Sequence, residues 1–383
     1  MEDARSGTAR PPGAPQFANG DGPNIENVSA SAYRIPTDAH ESDGTFEWDS
    51  TTMVLVEATA GDVTGVGFTY ADEATATLIH ESLRKVVSGV DAMDIPRAWI
   101  AMVQSIRNLG RPGISSMAIS GIDNALWDLK ARLLNLPLVK LLGAARDALP
   151  IYGSGGFTSY TDGKLCEQLG GWVQQGIPRV KMKIGRESQR DVDRVSVARQ
   201  AIGADAELFV DANGAYSRKQ ALKFAHEFSE MDVSWFEEPV SSDDLEGLRL
   251  IRDQGPPGMD IAAGEYGYDE TYFRRMLDAG AVDVLQADAT RCAGITGFLM
   301  TDTLCQAAHL WLSSHCGPSM HLHAGCAAKR MLHAEYFHDH VRIENMLFDG
   351  VAEPIDGTLK PDLSRPGHGL EFKRADAEKF RIH

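Results

Sequence analysis

Five cysteines in 383 residues, with no C-x-x-C pair among them, give no disulfide framework, and their odd number fits a reducing compartment. No apolar run approaches the roughly 18 residues of a membrane span. The opening MEDARSGTAR carries acidic residues and no apolar core of a secretory signal. Basic residues are scarce beside acidic ones, 37 against 54, for a net charge of −17. That balance opposes nucleic acid or an anionic membrane surface over a Debye length of about 8 Å. A small anion is not excluded, because the field inside a pocket can have the opposite sign. The expected protein is cytoplasmic, with no nucleic-acid or membrane partner. Residue-level repeats are also missing.

What recurs is architecture. Ser154, Lys183, Asp211, Glu237, Glu265, Asp288 and His315 follow one another at intervals of 23 to 29 residues, the length of one βα unit. Most close a short apolar run: RVKMKI, ELFV, VSWF, DIAAG, AVDVLQA and HLWLSS. The C-terminal ends of successive barrel strands look like this, and a (β/α) barrel gathers those ends on one rim. With 43% hydrophobic residues, the chain exceeds one barrel of about 250 residues and leaves room for a smaller domain.

Residues 1–23, rich in Pro, Gly and Ala, are expected to form a disordered leader. Residues 24–145 read as an α+β capping domain: strands IENVSASAYRI, TTMVLVEATA and VTGVGFTY, a loop from Pro36 to Ser50, then helices in ATATLIHESLRKVVSG and SSMAISGIDNALWDLKARLL. Residues 146–340 are assigned to the barrel, and 341–383 to a segment returning to the cap. Ser217 with Gln220 forms a capping box, and Asp269 is placed to cap the helix that follows it.

Asp211, Glu237 and Glu265 end three consecutive strands. Three bare carboxylates so close would repel one another unless a cation neutralised them, and an all-oxygen set suits Mg²⁺ before Zn²⁺. Glu238 is expected on the opposite strand face. Lys181 and Lys183, two apart, share a face; paired ammonium groups near a divalent cation lower each other's pKa, and a neutral lysine can act as a base. Asp288 and His315 end neighbouring strands, so the carboxylate can orient the imidazole. His321/His323 and His338/His340 read as surface or packing positions, without zinc-site spacing.

The segments V-K-M-K-I-G, V-D-A-N-G, W-F-E-E-P, A-A-G-E, Q-A-D-A-T-R-C-A-G-I-T and S-S-H, with R-N-L-G-R-P-G and A-L-W-D-L-K-A-R upstream, resemble the enolase superfamily and, within it, the mandelate racemase subgroup. The resemblance spans nearly everything from Asn24 onward. It implies a (β/α)₇β barrel with an N-terminal cap, Mg²⁺ on Asp211, Glu237 and Glu265, and removal of the proton α to a carboxylate. Lys183 would work on one substrate face, and His315, oriented by Asp288, on the other. Lys181 would bind the carboxylate oxygen that gains charge, with Asn213 and Ser154 positioning it. Glu335, in LHAEYF after the last strand, matches the acid that donates to that oxygen. Relatives that lactonise muconate or epimerise dipeptides carry lysine where this chain has Asp288, which leaves the Lys/His–Asp arrangement.

The reaction so implied is dehydration of an acid sugar, an aldonate or aldarate, to a 2-keto-3-deoxy acid. Racemisation or epimerisation of a 2-hydroxy acid is the alternative, and a non-catalytic barrel used for binding a distant one. Specificity is expected from the Pro36–Ser50 loop, with His40, Glu41 and Trp48 as pocket contacts. A small carboxylate substrate and a homo-oligomer, dimer or octamer, complete the expectation.

Overall fold

Short β-branched runs alternating with polar residues open the fold. The computed structural model describes residues 22–382, so the expected leader lies outside the described residues except for Gly22 and Pro23. Both of those are tied down: Gly22 N–H donates to Asp91 at 2.9 Å, and Ala92 N–H donates to the Pro23 carbonyl at 3.0 Å. Strands β1 (Asn27–Ser42), β2 (Glu47–Ala60) and β3 (Val63–Tyr70) form an antiparallel sheet in that order. Val28, Ala32, Val54, Val56 and Ala58 face helices Ile95–Ser105 and Ile114–Leu133. Tyr33, Ile35, Met53, Leu55 and Phe68 face the other way, onto Ile343, Leu347, Phe348 and Leu370 from the end of the chain. This two-sided burial explains why the central strand reads as a continuous apolar run.

The stretch Pro36–Ser50 is not the open loop expected. β1 continues to Ser42 and β2 begins at Glu47, so only the turn Asp43–Phe46 is left outside the two strands. The register shifts between Pro36, opposite Ser50, and Glu41, opposite Trp48. Pro36 has no N–H to give the ladder, which makes it a natural place for a bulge. The turn is closed by the Asp43 carboxylate, which accepts the N–H groups of Thr45 at 2.6 Å and Phe46 at 2.7 Å. The hairpin leans on the second domain, where the Ser42 and Thr158 hydroxyls meet at 2.6 Å.

Eight parallel strands close the barrel: β4 (Leu149–Gly155), β5 (Arg179–Lys183), β6 (Glu207–Asp211), β7 (Val233–Glu237), β8 (Asp260–Ala263), β9 (Val284–Ala287), β10 (Trp311–Ser314) and β11 (Met331–Phe337). They are bonded in sequence order, and β11 pairs back onto β4. Seven helices separate them, from Asp162–Gln174 to Pro318–Ala327, so the architecture is (β/α)₇β with a capping domain. Strand periodicity divides the side chains: Val180, Met182, Leu208, Val210 and Phe236 pack outward against helices, while Tyr152, Phe209 and Trp235 plug the interior. The predicted helix starts are present: Ser217 and Gln220 make a reciprocal capping box, and Asp269 accepts from Thr271 and Tyr272.

Residues 341–382 serve both halves, since Thr358–Leu359 adds an antiparallel strand beside β4 while Phe348–Asp349 and Glu371–Phe372 pair under the cap. A boundary at 340 falls inside helix His338–Leu347. Helix Ile114–Leu133 docks the cap on the barrel. Asn124 Nδ2 donates to the Ala289 carbonyl at 3.1 Å, and Asn124 Oδ1 accepts from Ile295 N–H at 3.0 Å. Asp123 accepts from Thr296, and the Thr69 hydroxyl donates to Thr290 O at 2.6 Å. The loop gripped in this way follows β9 and carries Asp288.

Candidate active site

Lys183, Asp211 and Glu237 are the last residues of β5, β6 and β7 and lie side by side in the parallel register. Glu265 follows β8 by two residues, and Asp288 and His315 come directly after β9 and β10. All six are buried. The predicted convergence is therefore present, on the C-terminal rim of the barrel.

One oxygen each from Asp211, Glu237 and Glu265 lies within 4.8 Å of the other two. Burial and the neighbouring Asp211 charge push the Glu237 carboxyl well above the usual carboxylate range. Glu265 Oε2 and Asn213 Oδ1, both buried, have no hydrogen-bond partner. A crowded, desolvated set of hard oxygen donors with unused lone pairs fits a divalent ion such as Mg²⁺.

The two lysines share the predicted face. Lys181 Nζ lies 2.7 Å from each Glu237 oxygen, 2.8 Å from Glu335 and 3.6 Å from Asp211. Lys183 donates to Asp211. Among protein groups alone, the direction of the lysine pKa differs from the expectation. Burial opposes the Lys183 charge most strongly, but the Asp211, Glu265 and Glu237 charges together outweigh it and hold the ammonium above its ordinary value. Arg179, in the same phase, is not part of the site and pairs with Glu207 at 2.8 Å.

On the other side, His315 Nδ1 and Asp288 Oδ2 are 2.8 Å apart. Burial disfavours the Asp288 charge, yet the His315 hydrogen bond and charge hold this carboxyl well below its ordinary range. Its second oxygen accepts Thr290 N–H at 2.7 Å. His315 Nε2 is 3.4 Å from Glu265 Oε2, so the imidazole adjoins the trio at Glu265, whereas Lys183 adjoins it at Asp211.

Glu335 lies within β11, not after the last strand, because β11 is the eighth strand that closes the barrel. It accepts from the Ser154 hydroxyl at 2.6 Å and from Cys316 N–H at 2.7 Å. Burial raises its pKa, but the charges of Lys181, His315 and Lys183 with the Lys181 hydrogen bond together outweigh burial and keep it ionised. Three donors make Glu335 an acceptor in this arrangement.

A cavity of about 570 Å³ opens between the cap and this rim, lined by Lys183, Asn213, Glu265, Asp288 and His315 below and by Trp48, Thr51, Thr52 and Tyr70 above. Trp48 lines this cavity, packed edge-on against Phe157 with centroids 5.5 Å apart. His40 does not: it is absent from the lining, its side chain is 58% exposed, and it lies 3.6 Å from exposed Glu47. The bulge decides this, because it turns Glu41 inward, where Trp48 Nε1 donates to it at 2.8 Å.

Several contributors escaped sequence reading. Glu238 does not follow the strand alternation expected of it. At φ +38 it has left the strand, and it is buried near Glu265 and Asp211, where burial and the Glu265 charge push its carboxyl well above the usual range. Arg291 lines the cavity 3.6 Å from Glu265 and 3.8 Å from Asp288; its place three residues after Asp288 was the available signal. His321, His323 and His340 are buried, and burial pushes His323 and His340 down to about 3. His340 also lines the cavity and stacks on Tyr70.

A capped (β/α)₇β barrel with a carboxylate trio between a lysine and an Asp–His pair defines a class of acid–base site. The chain belongs to the mandelate racemase/muconate lactonizing enzyme family: residues 30–143 match its N-terminal domain, and 164–377 match the enolase C-terminal domain-like family. It is 33% identical over 366 residues to 3,6-anhydro-alpha-L-galactonate cycloisomerase of Streptomyces coelicolor, covering 91% of this chain and 98% of that one. A crystal structure of a mandelate racemase/muconate lactonizing enzyme-like protein from Rubrobacter xylanophilus superposes with a TM-score of 0.92 at 53% identity, covering 94% of this chain and all of that one. L-talarate/galactarate dehydratase from Salmonella typhimurium, solved with Mg and L-lyxarohydroxamate, matches with a TM-score of 0.86 at 28% identity over 100% and 97% of the two chains.

Proposed function

We propose that the chain is an enzyme that removes the proton α to the carboxylate of an acid sugar and expels the β-hydroxyl, giving a 2-keto-3-deoxy acid. The observation that carries this is one cavity lined by Lys183, Asp288 and His315, onto which the carboxylate trio opens through Glu265. Asp211, Glu237 and Glu265 would hold Mg²⁺, which supplies electrostatic stabilisation of the ene-diolate when bound.

Lys183 takes the α-proton at Nζ. Asp211 is the largest of the carboxylate charges that raise the proton affinity of this amine among protein groups, and a cation held by the trio would offset them. His315, with Nδ1 fixed by Asp288, presents Nε2 to the opposite face and protonates the departing hydroxyl. Lys181 meets the oxygen that gains charge, and Asn213 and Ser154 help position it. Glu335, ionised and bonded to Lys181 and Ser154, is assigned to orienting those donors and not to giving up a proton.

A relative named as a cycloisomerase, matched over nearly its whole length, favours a second reading: where the leaving oxygen belongs to a ring, the same two groups open the ring instead of releasing water. Incubation of the Mg²⁺-loaded protein with aldonates, aldarates and their anhydro or lactone forms, followed by NMR, separates the outcomes. A 2-keto-3-deoxy acid from an open-chain substrate supports dehydration. A product from cyclic substrates alone supports the second reading, an epimer with its hydroxyl retained points to a racemase, and no turnover across the set overturns the acid-sugar assignment.

A further inference from the structure

The thiol of Cys316 has no part in that reaction, yet it stands in the cavity against the imidazole that does. Cys316 follows β10 with φ +48, a left-handed conformation that a side-chain-bearing residue enters at a cost. Its N–H donates to Glu335 Oε2 at 2.7 Å, and its Sγ lies 3.2 Å from His315 Nε2. One donor atom each from His315, Cys316 and Glu335 lies within 4.8 Å of the other two. His315 and Cys316 both line the cavity, so whatever enters it reaches them.

This donor set differs in kind from the carboxylate trio. Mg²⁺ seeks hard oxygen and has little affinity for sulfur, whereas Zn²⁺ takes nitrogen, sulfur and carboxylate oxygen together. Zn²⁺ bonds of about 2.3 Å to sulfur and about 2.1 Å to nitrogen hold two tetrahedral donors about 3.6 Å apart. The observed 3.2 Å needs only a small side-chain rotation to match. His315 also has the outer partner typical of a zinc-binding histidine, a carboxylate on its other ring nitrogen: Asp288 at 2.8 Å. Glu265 Oε2, buried without a hydrogen bond, is 3.4 Å from the same Nε2 and can complete the set.

We propose that His315 Nε2, Cys316 Sγ and the Glu335 carboxylate form a second metal site, selective for Zn²⁺ over Mg²⁺, beside the carboxylate trio. Coordination displaces the thiol proton to solvent and occupies the lone pair of Nε2. Zinc then removes the imidazole from proton transfer, and added Mg²⁺ does not restore it. The loss of turnover rests on the reaction proposed above; the binding of zinc does not.

The test is spectroscopic and needs no substrate. Cobalt(II), a zinc surrogate, is titrated into the Mg²⁺-saturated protein. The expected result is a thiolate-to-cobalt charge-transfer band in the near ultraviolet that disappears in Cys316→Ala, with zinc affinity falling at least about tenfold. Calorimetric Mg²⁺ binding shows whether that variant is folded, and Cys316→Ser serves the same purpose if it is not. Cys166, the free cysteine that is not buried, supplies the control: Cys166→Ser should keep the band. No band in the parent protein, a band that survives in Cys316→Ala, or one lost in Cys166→Ser overturns the proposal. Failure to turn over any acid sugar, with the band present and dependent on Cys316, counts against the reaction and leaves the metal site standing.

Discussion

Asp288 is a buried carboxylate whose charge survives because His315 and Thr290 bind it on both oxygens. Replacing it by asparagine keeps the volume and one acceptor but removes the charge that orients the ring. In Asp288→Asn, turnover should fall by about 10² to 10⁴, the range for loss of a positioned acid–base group, with Mg²⁺ affinity near that of the parent. Steady-state kinetics beside calorimetry checks this, and parent-like kcat would remove His315 from the mechanism. The bases are told apart by exchange in D₂O. Lys183→Ala should lose α-proton exchange for one stereoisomer and His315→Asn for the other; loss for the same isomer in both would confine the chemistry to one face. At this scale most of the site was legible, because strand-end spacing depends only on repeating βα units. Glu238, Cys316 and Asn213 were less so in their orientation: each leaves its strand with positive φ, and strand alternation does not extend to such residues.

Strand β8 ends at Ala263, and Gly264 carries the chain on to Glu265 with φ +140. A Cβ there would stand 2.0 Å from the Gln286 carbonyl. Gly264→Ala should therefore displace Glu265, weaken Mg²⁺ binding and destabilise the fold by more than about 1 kcal/mol. Unchanged Mg²⁺ affinity in that variant would show that Glu265 is not a ligand. The hairpin makes a different prediction. Burial first, then the Asp339 and Asp38 charges, raise the Glu41 carboxyl from 4.5 to about 8. A raised folded-state value means that stability present at low pH is lost as pH rises from the unfolded value towards about 8, by at most about 5 kcal/mol. Glu41→Gln keeps an acceptor for Trp48 and should flatten that slope, so its melting temperature should gain on the parent's at pH 8.5 more than at pH 4. Parallel melting curves for the two proteins would mean that Glu41 is not buried as described. The hairpin's existence could be read from its flanking strands. Its bulge could not, since a register shift is set by what both strands pack against.

Among the described residues no helix is long and apolar enough to cross a membrane, and the full sequence carries a net charge of −17. Cap and barrel share hydrogen bonds through helix Ile114–Leu133 and the loop after β9, so an ion held by the barrel rim bears on the whole fold. Mg²⁺ at a hundredfold its Kd should stabilise the protein by about 2.7 kcal/mol. Differential scanning calorimetry would show this as a higher Tm in the parent and little change in Glu237→Gln, and EDTA should abolish activity until Mg²⁺ is restored. Full activity in a verified metal-free preparation would refute the carboxylate assignment. The sequence by itself determined the barrel, its cap and which residues end each strand, because hydrophobic periodicity and βα spacing are local properties that survive without coordinates. Only the tertiary structure decided that Glu41 and not His40 turns inward, that Glu335 lies in the closing strand with Lys181 and Ser154 as its donors, and that a thiol rests against His315. Those outcomes depend on a bulge, on barrel closure and on one left-handed residue, where distant segments settle the geometry together.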